Sequence, residues 1–574
     1  MNKKLTIPLG LALAAALLVA GGIVMKRSDS PAAVEESWTE APENCTVVMV
    51  GKQASADGST MTTHTADCGH CDWTFRSVPA ADHQPGETRR IYHIDQYKTW
   101  PPSEGLKWDL ITGDFTGLEI PEAAHTYGYI HGMFGYLNDQ QLAIGESTIG
   151  CQKKMENPTP TVKFDITMLT LLAMERCRTA REAIKLMGSL AEKHGYGYLD
   201  RGEMLALADP QEVWVFEIMP VGPLWTPKSG KPGAVWCAER VPDDHVAVCP
   251  NESRIGEIDL KNSDDFLASP NVVSLAVDMG FYDPRSGRPF NWKRAYDPIE
   301  GSAASNARRA RMWRFHNLVA PSQNWSEDLP NMDYPFSVKP DRKISVADVM
   351  TITRDRCQGT VFDPVKGIRG GPLSNPNLYR STRTIGMNRA EYTTITQSRD
   401  WLPAIIGGLV WIAFGAQDTS CYMPFYAGVS DMPPSFKVGD HFEFNRDSAR
   451  WAFDYVDHIA QPAYMYALED IKQAQARLEQ AVVARIPEID EEASARFARS
   501  PAEAAGYLSG WCWSNADQVV KAWWGLGDTL LVKYNHGGVY NTEKRTRDNA
   551  KPEISETWRK AVKMVDTWVD PVER

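Results

Sequence analysis

The first 44 residues fix where a folded domain can begin. Lys3 and Lys4 precede an apolar run from Leu5 to Met25, interrupted only by Thr6, Pro8 and glycines, and Lys26 and Arg27 close it. A positive start followed by an apolar stretch reads as a secretory signal. The run is long for a cleaved signal and just long enough to span a bilayer, and no clear A-x-A site follows, so a retained signal-anchor is the competing reading. Residues 28–44 are polar, acidic and Pro/Ala-containing, the composition of a linker or propeptide. The expected division is therefore 1–27 for targeting, 28–44 for a removable linker, and 45–574 for the folded domain with a helical C-terminal part. Export places that domain in the periplasm or outside the cell, tethered through residues 5–25 for as long as the run is kept.

The domain opens on a strand. Cys45-Thr-Val-Val-Met-Val-Gly51 is β-branched and apolar, as a buried strand is. Asp57-Gly58 is a hairpin turn signal, and Ser59-Thr-Met-Thr-Thr-His-Thr65 reads as the returning strand. Val213–Ile218, Ala234–Cys237 and His245–Cys249 read as further short strands, and Pro242-Asp-Asp244 between the last two predicts antiparallel pairing. The pattern from Met168 to His194 is helical, with Thr179 and Glu182 spaced as a cap and Gly195 as a stop. Helices are expected near Ala304–His316 and Ile344–Arg356, and over most of 449–528. Strands and long helices without strict βαβ alternation argue for a layered α+β fold. A net charge of −12 with no basic patch argues against a nucleic-acid partner.

Cys45 is the residue that carries chemistry. It sits at the junction of linker and strand, directly after Asn44. Cleavage of Asn44–Cys45 would free a thiol and an α-amine on one residue. The amine, with a pKa of about 7.7–8.0 against about 8.5 for the thiol, can take the thiol proton, so nucleophile and base come from one residue. A turn centred on Asp57–Gly58 sets Cys45 opposite residues near position 70, and a shift of a few residues brings Asp67 alongside it, with His64 further along the same strand.

Several blocks extend this into a resemblance. Cys45-Thr-Val-Val-Met-Val-Gly-Lys-Gln-Ala-Ser-Ala-Asp-Gly-Ser59 is similar to the mature N-terminus of the cysteine dipeptidase family of N-terminal-nucleophile hydrolases, relatives of secernins and of choloylglycine hydrolases and penicillin V acylases. Leu137–Thr148, Arg240–Asn251, Gln397-Ser-Arg399, Leu402-Pro403 and Asp447-Ser-Ala449 resemble later blocks, in the family's order. The resemblance implies a four-layer αββα sandwich with the nucleophile on an inner strand, and amide hydrolysis through a thioester on Cys45. It implies that Asp67 holds the α-amine and that Asn138 and Asn251 line the oxyanion region, where an amide donor is worth about 3 kcal/mol. Relatives carry Arg three residues before the acid, where this chain has His64; Arg308, Arg309 or Arg311 could supply the missing charge, and Arg308 is taken as the candidate. A dipeptidase must also recognise its substrate's free amine, for which Asp139 and Glu146 are the candidate acids. Dipeptides are the expected substrates; no cofactor or metal is expected, and assembly into a homo-oligomer is compatible with the sequence.

Other signals point elsewhere and fail on context. Cys68-Gly-His-Cys71 has the form of a thioredoxin-type motif, but that site needs a helix after it, and Asp72-Trp-Thr-Phe does not start one; it reads as a structural disulfide near the rim of the site. With Cys45 kept as a thiol, nine of the ten cysteines remain, so at least one more stays unpaired. The histidines show no H-E-x-x-H and no zinc-type spacing. Two alternatives share the remaining features: a related amidase acting on N-acyl amino acids or conjugates, and an anchored binding protein that has lost the chemistry. The presence of both Cys45 and Asp67 argues against the second.

Overall fold

The computed structural model describes residues 45–69, 71–94, 113–156, 159–197, 201–298, 303–378, 383–546 and 553–563. The apolar run, the linker and Asn44 lie outside them. The chain opens on β1 (Val47–Val50) and β2 (Thr60–Thr65), both buried throughout. Met49 lies opposite Thr62 and Val50 opposite Met61. The connection is wider than a two-residue turn: Gly58, at φ +86°, makes its tightest bend, and the Asp57 carboxylate accepts from the Ser59 N–H and from the Ser55 and Ser59 hydroxyls. Carrying this register on brings Cys45 level with Ala66, with Asp67 the next residue.

Two sheets, antiparallel throughout, form the inner layers. The first has the order β14 (Val246–Cys249), β1, β2, β16 (Tyr392–Ser398), β17 (Leu409–Phe414), β18 (Met423–Tyr426). The second runs β15 (Phe266–Ala268), β13 (Val235–Val241), β12 (Val213–Met219), β11 (Gly202–Ala208), β10 (Ala143–Ile149), β9 (Gly135–Asn138), β8 (Tyr129–His131), β3 (Arg76–Val78). Two small ribbons, β4 (Ala81–Asp82) with β7 (His125–Thr126) and β5 (Thr88–Ile94) with β6 (Gly113–Pro121), lie outside these sheets. Helices α1 (Ile166–Arg176) and α2 (Ala180–His194) pack on the second sheet, and the helices Ala449–Ala460 and Pro501–Lys533 pack on the first. The result is the expected αββα sandwich. Its two sheets come closest where β10 crosses β2: a Cβ on Gly145 would stand 2.1 Å from the Thr63 main-chain oxygen, so only glycine admits this approach.

Two expectations need correction. The helical pattern from Met168 to His194 is broken at Cys177–Thr179; Thr179 and Glu182 form a capping box that starts a second helix, which Gly195 ends at φ +82°. The segment after Pro242-Asp-Asp244 does not return along β13. It crosses to the other sheet and pairs with β1, Val47 opposite Cys249 and Val50 opposite Val246. The expected helices near 304–316 and 344–356 are present as Ala303–Val319 and Val346–Thr353.

Candidate active site

Cys45 lies just before β1, buried, on a chain flanked by β2 and β14. The end of β1 nearest Cys45 is tied to β2 by side chains: the Thr46 and Val48 N–H groups donate to the Thr65 and Thr63 hydroxyls, each at 2.8 Å. The Thr65 hydroxyl donates onward to Asp67 Oδ2 at 2.9 Å. Asp67 is fully buried; it is paired with Arg383 and accepts from Gln417 Nε2 at 3.3 Å. One hydroxyl thus separates the Asp67 carboxylate from the main chain that follows Cys45.

The other flank is held by Arg311. Its Nη1 donates to the Cys45 carbonyl at 2.7 Å, to the Thr46 hydroxyl at 2.9 Å and to Asn251 Oδ1 at 2.9 Å, and its Nη2 donates to the Pro250 carbonyl at 2.9 Å. Burial pushes the Arg311 guanidinium down from its ordinary range, the like charges of Arg383 and Arg308 add to this, and Asp67 opposes it. Among the three expected arginines, Arg311 is the one whose guanidinium reaches Cys45; Arg308, one turn earlier and half-buried, acts on it only through its charge. Asn251, in the left-handed conformation at φ +64° that asparagine tolerates, donates to Ser147 Oγ at 3.2 Å and to the Thr148 carbonyl at 2.9 Å. It bridges the two sheets beside Cys45.

From the second sheet, Glu146 on β10 faces the thiol: Cys45 Sγ lies 3.5 Å from Glu146 Oε2. His64 on β2 approaches the same residue, its Nδ1 2.9 Å from the Glu146 main-chain oxygen and 3.5 Å from Oε2. Glu203 on β11 is a second buried carboxyl beside Glu146. Burial and the neighbouring Glu146 hold its pKa well above the carboxylate range. Burial likewise pushes the Cys45 thiol well above its usual range; Glu146 and Asp67 add to this, and a hydrogen bond from the Asp67 main-chain N–H opposes it. Burial lowers the His64 pKa, against the pull of Glu146, so its ring is neutral.

Asn138 and Asp139 do not join this cluster. The Asn138 amide donates to the Met174 and Cys177 carbonyls at 3.0 and 2.8 Å, and its oxygen accepts from the Gln140 and Leu142 N–H groups. Every valence closes the β9–β10 turn or the end of α1, leaving no donor for an oxyanion. Asp139, in the same turn, accepts from the Gly128 N–H and from Gln140 Nε2. Cys68 and Cys71 form a disulfide immediately after Asp67, while Cys45, Cys177, Cys237, Cys249, Cys357, Cys421 and Cys512 are thiols. Arg383, Gln417 and Glu203 belong to the cluster without any sequence motif. Only Glu203 had a local signal, a lone acid in the otherwise apolar Gly202–Ala208, since an acid buried in a strand needs a partner.

A buried thiol between the inner sheets of an αββα sandwich, with acid, arginine and asparagine side chains converging on it, is the arrangement of a thiol-dependent hydrolase. The chain belongs to peptidase family C69, a cysteine dipeptidase family, whose sequence pattern matches residues 44–477. It is accordingly a hydrolase acting on peptide bonds. It is similar to a probable dipeptidase A of Streptococcus pyogenes serotype M3, 28% identical over 435 residues, covering 74% of this chain and 85% of the relative. It is also similar to dipeptidase A of Lactobacillus helveticus, 27% identical over 421 residues (70% and 79%), and to a dipeptidase of Bifidobacterium longum, 25% identical over 500 residues (80% and 85%).

Proposed function

We propose that this protein is an exported dipeptidase that works through a thioester on Cys45, exposed when the chain cuts itself after Asn44. The observation that carries this reading is the convergence of Asp67, Arg311, Asn251 and Glu146 on Cys45, in a chain whose family match begins at residue 44. In maturation, the Cys45 sulfur attacks the Asn44 carbonyl, the peptide bond shifts to a thioester, and water releases residues 1–44. The freed α-amine, held by Asp67 and the Thr65 hydroxyl, then takes the thiol proton. In turnover the thiolate attacks the scissile carbonyl, and the amide of Asn251 serves the oxyanion once it turns from its resting partners. The protonated α-amine passes its proton to the leaving amine, and water hydrolyses the thioester. Glu146 receives the substrate's α-ammonium. Residues 1–27 direct export, and the cut after Asn44 frees the domain from any tether through residues 5–25.

Intact-mass analysis of active protein tests this reading. The active species should begin at Cys45, and Cys45→Ala should leave residues 28–44 attached and abolish turnover. Full activity in a chain that still carries Asn44 would overturn it.

A further inference from the structure

Three buried groups of different chemistry meet at the nucleophile. Cys45 Sγ and His64 Nδ1 each lie 3.5 Å from Glu146 Oε2, and one donor atom from each residue falls within 4.8 Å of the other two. A zinc-class cation sits about 2.3 Å from sulfur and about 2.0–2.2 Å from nitrogen and oxygen, so its tetrahedral ligands stand roughly 3.3–3.6 Å apart. Both edges at Glu146 already have that length. The Cys45–Glu146 pair is separated by 101 residues in the chain, which is why no ligand spacing shows in the sequence.

His64 gives an independent sign. Its side chain is fully buried, and Nε2 has no hydrogen-bond partner among the described residues; the ring packs against Phe134, Tyr136 and Tyr392. A neutral imidazole has one N–H and one lone pair. With the proton on Nδ1, the ring donates to the Glu146 main-chain oxygen and leaves the Nε2 lone pair among aromatic rings. With the proton on Nε2, that N–H lies on a ring packed among aromatic side chains, but the Nδ1 lone pair faces two oxygens of Glu146. A cation held between Nδ1, Sγ and Oε2 removes the second conflict.

We propose that Cys45, His64 and Glu146 form a preorganised three-ligand site for a zinc-class divalent cation, and that its occupancy masks the nucleophile. The metal–sulfur bond forms as the thiol proton and metal-bound water leave to solvent, so no electrons are transferred. Thiolate, imidazole and carboxylate together suit Zn2+ and Co2+ and disfavour Mg2+ and Ca2+.

The test strips the purified protein with a chelator and titrates it with Co2+, following the thiolate-to-cobalt charge-transfer absorption, then displaces Co2+ with Zn2+. One equivalent per chain should bind with a sulfur band, and Cys45→Ala should lose that band. His64→Asn and Glu146→Gln should each weaken Zn2+ at least about tenfold, while Cys512→Ala in the helix Pro501–Lys533 should not. Peptide hydrolysis should fall in step with occupancy and return with chelator. A cobalt spectrum without sulfur ligation overturns the site, as does an affinity unmoved in His64→Asn and Glu146→Gln variants with the wild-type circular dichroism. Because the spectrum is read without substrate, this failure is distinct from failure of the dipeptidase reading.

Discussion

Replacing Glu146 and Glu203 by glutamine tests how the site separates a free dipeptide from a blocked one. Glu146 is 2% exposed and lies 3.5 Å from the Cys45 sulfur, so a substrate ammonium beside it would be bound away from water. A charge-assisted hydrogen bond of this kind is worth about 1.5–3 kcal/mol. At about 1.36 kcal/mol per decade, that is roughly 10- to 150-fold in kcat/KM. The quantity to measure is the ratio of kcat/KM for a free dipeptide to that for its N-acetyl form. A ratio is needed because Glu146 also raises the Cys45 pKa; removing it eases thiolate formation and speeds both substrates, an effect the ratio cancels. Glu203 complicates the single variant. Its pKa is held up first by burial and then by Glu146, so in Glu146→Gln it should ionise more readily and partly replace the lost charge. The single variant should therefore lose less of the ratio than Glu146→Gln/Glu203→Gln, which should lose the full 10- to 150-fold, chiefly through the free dipeptide. A ratio that survives within about twofold in the folded double variant refutes the reasoning. A wild-type preference for the acetylated substrate would move the protein to the amidase reading.

Asp67→Asn leaves the Arg383 guanidinium buried without its carboxylate, which should destabilise the fold by about 3–5 kcal/mol. The double variant Asp67→Asn/Arg383→Gln should lose clearly less than the sum of the single losses in thermal melts, and additive losses would show that the two do not act as a pair. Asp165 caps α1 and accepts from the Met168 and Ile94 N–H groups; burial pushes its carboxyl up to about 7. Its folded pKa exceeds the unfolded one, so its contribution is complete below about pH 4 and is lost as pH rises to about 7. The melting temperature of Asp165→Asn relative to wild type should therefore improve steadily from pH 4 to pH 7, and a flat difference would refute the shift.

Local signals sufficed wherever the deciding contacts are local. The strand at Cys45, the Asp57–Gly58 turn, the Thr179–Glu182 cap and the Gly195 stop all depend on residues within a few positions of one another. The crossing after Pro242-Asp-Asp244 was not legible, because the same turn suits a hairpin or a change of sheet. What decides it is β1: the Gly51 main chain packs so tightly on this turn that a Cβ there would meet the Asp243 carbonyl at 2.5 Å. The cluster of Arg308, Arg309 and Arg311 was visible, but only helix phase and tertiary contact select Arg311. Arg383 meets Asp67 across 316 residues, and no periodicity reaches that far. Asn138 was drawn toward the oxyanion by its block, whereas its actual bonds are those of a turn residue.

The raised thiol pKa looks at first like an argument against Cys45 as a nucleophile. In the uncut chain, however, the Cys45 nitrogen is a neutral amide, and nothing at that atom offsets burial or the acids Glu146 and Asp67. A cut after Asn44 would turn that amide into an amine with a pKa of about 7.7–8.0, one residue from the Thr46–Thr65–Asp67 relay. The Asp67 carboxylate that disfavours the thiolate would then stabilise an ammonium beside it, and the ammonium favours the thiolate. The local electrostatics change sign without any movement of the sheets. Iodoacetamide should therefore label Cys45 rapidly in the cut protein and at least about tenfold more slowly in an Asn44 variant that intact mass shows to keep the bond before Cys45, since one pKa unit is worth about 1.36 kcal/mol. Equal labelling in the two would mean that the amine does not control the thiol and that the base lies elsewhere in the cluster.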